Sequence, residues 1–511
     1  MPLLSKPAIL PVKGIDLSVP NSYLPEGNNY PLNLKLFKGE LYKREGKSRL
    51  GGISIGGHEI LHLDTFETSN LEVFLFRMTR YNLERYNTSL KIWQDFTGIN
   101  DLTGTNSQFF SSVVAPADDL FMFTNFADYP KKIDDSGGNM QNLTTSFKAK
   151  FIEYLSPYVL FAYLEESGTL APHKVRWSDA NDPTLYTGGT SGSQLLTDEP
   201  SAIRGMKKLQ SNVYVYKEKS VYRGTRVSSA ATFDFGTGPF EVGKGALSGR
   251  AIVDTGEFHV YMGLNDFHMN DGVRISDIGD GVREYLFNRI NRSAFETMHA
   301  IHVPVYKEVW FFVTTTGNTW PTEVWKYRYD LRWWYQDTVE NVICATTYKV
   351  VDTLTWDDII PSFDSQSWAW DDRSGQANSP EPTFGYDTGY VHINDLTKKN
   401  DFVTAYNGRL ETKDFGALDR NGNLMEDTRW MQVDVFARGN RLDAWYSTDE
   451  GSTWNFIDTK TLDEFTRKYT YWFDVVSTRV RFRFENAESD STFALRSFQP
   501  YFLARENNFY G

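Results

Sequence analysis

The chain is broken into short runs of aromatic and β-branched residues, each closed by Gly, Asn, Asp or Pro. Leu71–Phe76, Leu120–Phe123, Val213–Tyr216, His259–Met262, Val309–Val313 and Val480–Phe484 are such runs. Runs of this length bounded by turn formers read as strands. Their spacing, often about 8–15 residues, is that of a sandwich, barrel or propeller. Aromatics make up 15% of the 511 residues, and such side chains suit a pleated, half-buried surface. Helical periodicity is confined to one candidate, Asp280–Arg292, enough for a turn or two. The expected class is all-β.

Three regions follow. Residues 1–30 are rich in Pro and Asn, lack periodicity, and read as an extended N-terminal arm. Residues 31–400 repeat a loose unit of strand, turn and strand. Trp325–Gln336 (WKYRYDLRWWYQ) is one example, and SVYRGTRVS, HVYMGLNDFHMNDG and FGYDTGYVHIND share its grammar. Units of this kind bury their faces only against their neighbours, so the pattern predicts a β-propeller. The polar, proline-bearing stretch 360–382 reads as a linker or long loop. Residues 401–511 read as a β-sandwich of about eight strands.

Composition removes several classes. Cys344 is the single cysteine, so neither an intramolecular disulfide nor a cysteine-rich zinc module can form. It sits in an apolar run and is expected to be a small buried side chain. No stretch of about 18 apolar residues exists, so no membrane-spanning helix is expected, and the first residues lack the pattern of a secretory leader. The formal charge of −13 argues against tight, sequence-independent DNA binding by charge neutralisation. Charge is uneven. Residues 1–50 hold eight Lys/Arg against four Asp/Glu, and residues 351–450 hold nine against nineteen. These are solvated faces, or complementary surfaces between neighbouring subunits of a ring.

Motifs that could carry chemistry are each weak. His58-Glu59-Ile60-Leu61-His62 matches the zinc pattern H-E-x-x-H, which needs a helix. Four glycines precede it and strand-like alternation follows. On a strand the two histidines lie about 13 Å apart, too far to share a metal. Ser447, Asp449, Gly451, Thr453 and Trp454 match the Asp-box pattern S-x-D-x-G-x-T-W, a structural hairpin with Gly at positive φ. It resembles the hairpins of sialidases, which carry several copies where this chain has one. The carboxylate pairs Asp357/Asp358, Asp371/Asp372 and Glu426/Asp427 are sequence neighbours. That adjacency does not create the spacing across a cleft that glycosidases need. Asp419–Asn423 starts like a calcium loop, but Leu424 and Trp430 stand where Gly and Glu are required. No P-loop, Rossmann fingerprint or G-x-S-x-G is present. Trp445, Trp454 and Trp472 are expected in the sandwich core. The expectation is no catalytic, cofactor or metal site.

Several segments together resemble a family of tailed-bacteriophage proteins, the β-propeller proteins of the tail hub or nozzle, often called packaged-DNA stabilisation proteins. The most distinctive is Arg176-Trp177-Ser178-Asp179 with Asp182-Pro183, similar to that family's "v-R-W-S-D…D-P" stretch. Phe37–Gly46, Thr124–Lys131, Ser220–Arg223, Phe258–Phe267, Val324–Trp333 and Gly385–Tyr390 follow in the family's order. The resemblance covers most of the chain as scattered segments. It implies a virion structural protein without catalysis, made in the bacterial cytoplasm. It also implies a ring, six-fold by resemblance, that extends the DNA channel, retains the genome and lets it pass at ejection. Partners would be adaptor or fibre proteins and passing genomic DNA bound without sequence specificity, with no membrane insertion. The competing class is a glycan-degrading, sialidase-like propeller. A third is a glycan-binding sandwich.

Overall fold

The computed structural model describes residues 4–11, 13–18, 24, 27–99, 102–116, 118–180, 182–227, 232–349, 380–417 and 428–504. Among these, seven antiparallel sheets follow one another along the chain, at 62–95, 111–142, 147–195, 203–242, 252–277, 299–338 and 342–395. The first strands of the sheets are His62–Glu67, Ser111–Ala115, Phe147–Leu155, Ile203–Leu209, Ile252–Asp254, His299–Val303 and Val342–Tyr348. Each lies beside the next, and the last lies beside the first. The fold is therefore a β-propeller with seven blades.

Packing explains why seven sheets form one body. A propeller blade buries its faces only against adjacent blades. Each of the seven junctions has its own apolar cluster. Phe66, Phe76, Phe121 and Phe123 join blades one and two. Leu160, Trp177, Val213 and Tyr222 join three and four, and Val260, Phe267, Phe311 and Trp325 join five and six. The ring closes through Leu63, Leu75 and Tyr86 of blade one against Cys344, Tyr348 and Val391 of blade seven. Cys344 is buried there, its thiol donating to the Ile60 carbonyl at 3.2 Å, and burial pushes it up to about 12. Blade seven takes its fourth strand, Gly46–Arg49, from the other end of the chain, paired with Val391–Asp395.

The strand runs fall where the pattern places them. The helical candidate holds one short helix, Arg283–Phe287. Trp325–Gln336 is a hairpin between Glu323–Arg328 and Trp333–Thr338. SVYRGTRVS differs, because Ser220–Arg226 is a single strand. Gly224 makes no turn there. A Cβ on it would stand 2.5 Å from the Phe235 ring and 2.7 Å from Val213, so glycine admits close packing instead.

The sandwich is built from both ends of the chain. One sheet has the order Leu34–Phe37, Glu40–Lys43, Phe493–Ala504, Thr428–Gly439, Arg467–Val476. The other runs Asn29–Leu32, Gly408–Thr412, Arg479–Asn486, Arg441–Ser447, Asn455–Thr461. Trp430, Tyr471, Phe482, Phe484 and Phe498 fill the space between them. Residues 31–43, expected to open the propeller, thus belong to the sandwich. Leu34 and Leu41 enter its core, a choice between two β environments that alternation alone does not encode. The arm is extended, as expected. Its Leu4–Ser5 pairs with Tyr501–Phe502, and its Ile15 amide donates to the Trp334 carbonyl at 2.8 Å.

Propeller and sandwich share a sheet. Asn29–Leu32 pairs antiparallel with Gly408–Thr412 and, through Leu32 and Gln336, parallel with the outer strand of blade six. Asn33 pins this joint at a positive φ of 55°. Its side chain donates to the Asn407 carbonyl at 2.8 Å and accepts the Thr338 amide at 2.9 Å.

Candidate functional site

Two adjoining cavities lie along the propeller axis. Alternate residues of the innermost strands point into them. One cavity of about 420 Å³ is lined by His62, Asp64, Ser112, Lys150, Arg204, Lys207, Arg250, Asp254, Glu296, His299 and Cys344 among others. A second, of about 600 Å³, shares Ser112, Lys207 and Asp254 with it and reaches Glu153 and Lys208. The lining mixes both charge signs. The acidic balance of the chain is therefore not concentrated on this axis.

Ser112, His62 and Asp64 meet in this cavity, a trio with the composition of a hydrolase triad. Their wiring differs. His62 Nε2 lies 2.6 Å from Ser112 Oγ, and the same hydroxyl donates to Asp64. In a working triad the carboxylate orients the imidazole from its other nitrogen and the serine proton goes to the imidazole. Here the carboxylate takes the serine proton, and Asp64 stands 3.9 Å from the same Nε2. Burial, with Arg250 and Lys207 nearby, pushes His62 down to about 3, far from the range of an efficient base at neutral pH. The trio is a polar pin between blades one and two.

The H-E-x-x-H segment forms no helix. It follows a 3-10 turn at Ile55–Gly57, and His62 begins a strand. His58 packs on Tyr81 at 4.8 Å between ring centroids, while His62 faces the axis.

The Asp-box residues form a hairpin turn between Arg441–Ser447 and Asn455–Thr461. Ser447 Oγ donates to Asp449 at 2.7 Å and accepts the Gly451 amide at 2.9 Å. Asp449 accepts the Thr453 amide at 2.9 Å and its hydroxyl at 2.6 Å. Gly451 has φ 91°. The Thr453 and Ser447 hydrogen bonds hold the Asp449 carboxyl down at about 2. Asp449→Ala should leave the fold intact and speed hydrogen exchange at the Thr453 and Gly451 amides roughly tenfold. Exchange rates equal to wild type would remove the turn-holding role.

The Arg176–Pro183 segment is also tied into its own blade. Arg176 donates to Glu166 at 2.7 Å and to the Tyr186 carbonyl at 2.8 Å. Trp177 donates to the Thr190 carbonyl at 3.1 Å. Ser178 Oγ accepts the Val159 amide at 3.0 Å. Asp179 accepts the Thr190 amide at 2.7 Å, and Asp182 accepts the Thr184 amide at 2.8 Å. Pro183 receives the Tyr186 hydroxyl on its carbonyl. These partners make the segment the corner that ends the third strand of blade three.

Trp445, Trp454 and Trp472 all depart from the core expectation, Trp472 most of all. It is 64% exposed, because Arg467–Val476 is an edge strand whose alternate residues face outward. Trp445 and Trp454 are half-buried, both against the Arg483 guanidinium at 4.9 and 4.6 Å. The pairs Asp357/Asp358, Asp371/Asp372 and Glu426/Asp427, the segment Asp419–Asn423 and nearly all of 360–382 lie outside the described residues.

A second cluster joins the propeller to the sandwich, and nothing in the sequence pattern marks it. Arg44 forks onto Asp401 at 2.8 and 2.7 Å. Its Nε lies 3.6 Å from Asp337, and Lys326 pairs with that same Asp337. Lys47 reaches Asp401 at 3.4 Å. Arg44 stacks on Tyr406 at 3.8 Å. The adjoining void is about 20 Å³, room for about one water. Burial alone would raise Asp401, but Lys47 and Arg44 outweigh it and hold the carboxyl well below its ordinary value.

No protein-family model matches the chain, and no curated protein sequence matches it. Solved structures similar to it include the WD40 domain of Neurospora crassa Pan2. That match has 9% identity and a TM-score of 0.38, covering 70% of this chain and 97% of that one. PorZ, a surface component of the type-IX secretion system of Porphyromonas gingivalis, is 10% identical with a TM-score of 0.37. The match covers 73% of this chain and 43% of PorZ. BBS1N, solved in complex with ARL6DN, is 9% identical with a TM-score of 0.37, covering 69% of this chain and 97% of BBS1N.

Proposed function

We propose that this chain is a structural protein of a phage tail, a nozzle or hub subunit without catalysis. In this reading, copies form a ring that extends the DNA channel, retains the packaged genome and lets it pass at ejection. The supporting observation is mechanical. Propeller and sandwich share one continuous sheet, the N-terminal arm runs along both, and Asn33 and the Arg44–Asp401 cluster pin the joint. Two rigid β units locked in this way suit a wall that must not flex. The axial cavities hold small molecules, not a duplex, so DNA would pass through the centre of the ring. A wall of copies each carrying −13 repels phosphates and favours sliding.

Cryo-electron microscopy of the intact particle tests this. The expected result is a ring, six-fold by resemblance, around a continuous channel. A peripheral spike with a solvent-facing pocket would overturn it. In dilute solution the purified protein is expected to be monomeric or weakly associated by light scattering, since such rings form on a template. A stable hexamer without the particle would contradict that.

One observation favours the glycan-binding alternative. Trp472 and Phe465 are 64% and 74% exposed at the sandwich edge, and exposed aromatic rings can stack on sugars. A glycan array with the full chain separates the readings. Specific binding lost in Trp472→Ala would make that role the leading one.

A further inference from the structure

We propose that the axial cavity is a binding site for a small hydroxylated organic monoanion, held by Arg250 and His299. The proposal is independent of the ring reading, because it concerns one propeller and not its neighbours.

Arg250 supplies the anion contact. It sits in the short turn Gly249–Ala251 that leads into blade five. Its guanidinium donates to the carbonyls of Glu296 at 3.2 Å and Ile343 at 2.7 Å. It stacks on Phe109 at 3.9 Å. Among the described residues no carboxylate lies within ion-pair distance of it. The other cations of the cavity differ. Lys150 pairs with Glu296 at 2.5 Å, Arg204 with Glu218 at 2.9 Å, and Lys207 lies 3.8 Å from Glu153. The remaining carboxylates have donors of their own, Asp64 from Ser112 and Asp254 from the Gly256 amide. A desolvated guanidinium held by carbonyls alone keeps donors for an anion.

His299 supplies the second contact and sets its polarity. The residue is 3% exposed, and its ring stacks on Phe312 with centroids 4.4 Å apart. Its Nδ1 is 3.1 Å from the Thr297 carbonyl, which can only accept, so Nδ1 carries the proton. Burial and Arg250 keep the ring neutral. Nε2 is then a lone-pair acceptor, and it is buried without a partner. His299 is one of the residues that line the cavity, and a bare buried acceptor there calls for a donor. The complement of these two groups is one molecule with an anionic oxygen and a hydroxyl. Phe109, Phe151 and Phe295 from different parts of the ring also line the cavity and favour a ligand with an apolar body.

The test uses the full chain and 3- and 4-hydroxybenzoate as probes, with benzoate and 4-hydroxybenzyl alcohol as comparators. Calorimetric titration should find at least one hydroxybenzoate binding at about 1 mM or tighter. Benzoate, which lacks the donor, should bind roughly tenfold more weakly, and so should the alcohol, which lacks the anion. His299→Phe keeps the ring stack and removes the acceptor, so it should equalise hydroxybenzoate and benzoate. Arg250→Gln should reduce both about tenfold or more. A structure of the wild-type protein soaked with the probe should place it on the axis, which decides the matter if a variant does not fold. The proposal is overturned by absence of binding at about 10 mM, by equal affinity for all four probes, or by density elsewhere.

Discussion

Asp401→Ala should lower the stability of the whole molecule by about 3–5 kcal/mol, the usual cost of leaving a buried charge without its partner. Arg44 is forked onto this carboxylate, and Lys47 leans on it. Both cations are nearly excluded from solvent, with side chains 7% and 4% exposed. Removing the carboxylate strands them in the joint between blades six and seven and the sandwich. Asp337 compensates only in part, because it is shared with Lys326 and stands 3.6 Å from the Arg44 Nε, well beyond the two short contacts of the Asp401 fork. Urea unfolding followed by tryptophan fluorescence reads the change. A midpoint unchanged from wild type would mean that the joint does not depend on this pair.

The same residue sets an acid limit. Its folded-state carboxyl is held below the ordinary aspartate value by Lys47 and Arg44, against the opposing effect of burial. A depressed carboxyl contributes stability that is complete above the unfolded-state value, near pH 4. That contribution is lost as the pH falls from there through the folded value. The wild type should therefore lose stability steeply below about pH 4. Asp401→Asn should be less stable at neutral pH and show a shallower acid slope. Parallel slopes for the two proteins would assign acid sensitivity to other groups.

The blades were legible in the sequence because each is local. A hairpin such as Trp325–Gln336 carries its own strand alternation and its own turn, where Arg332 takes a φ of 56°. Where a rule of local grammar met tertiary packing, packing won. Gly224 reads as a turn and serves as a gap for Phe235 and Val213. The joint was not legible at all. Arg44 and Asp401 are 357 positions apart, and no periodicity connects them. The strands Leu34–Phe37 and Glu40–Lys43 alternate like any others, and only the sheet they complete separates sandwich from propeller. The axial site left a faint trace. His62 and Asp64, Ser112, Lys150, Arg204 and His299 each sit near the first strand of a unit. Polar residues at that recurring place would have pointed to an axis, had the units been aligned on one another. Cys344 was read correctly, because a small residue in an apolar run needs no partner in sequence to be buried.

Gly46→Val should open the propeller. Gly46 begins the strand that completes blade seven, and its amide donates to the Lys398 carbonyl at 2.8 Å. A Cβ there would stand 2.1 Å from the Asn400 carbonyl oxygen and 2.6 Å from the Asn400 nitrogen. Those are backbone atoms, so no rotamer change relieves the clash. Asn400 cannot retreat easily, since its side chain is bound to Ser489 and Asp490 at 3.0 Å. Overpacking of flexible side chains costs about 1–3 kcal/mol. A fixed backbone obstacle should cost at least the upper end of that range. Displacing Gly46–Arg49 would bare the edge of Val391–Asp395, and an unpaired edge invites pairing with other chains. The variant should show faster hydrogen exchange across 46–49 and 391–395, a lower urea midpoint, and aggregation on concentration. Gly52→Ala is the control, because a Cβ at Gly52 meets nothing within 4 Å, and it should behave as wild type. If Gly46→Val matches that control, the ring is held shut by the apolar contact of blades one and seven. The strand borrowed from the N-terminal side would then serve the sandwich joint alone.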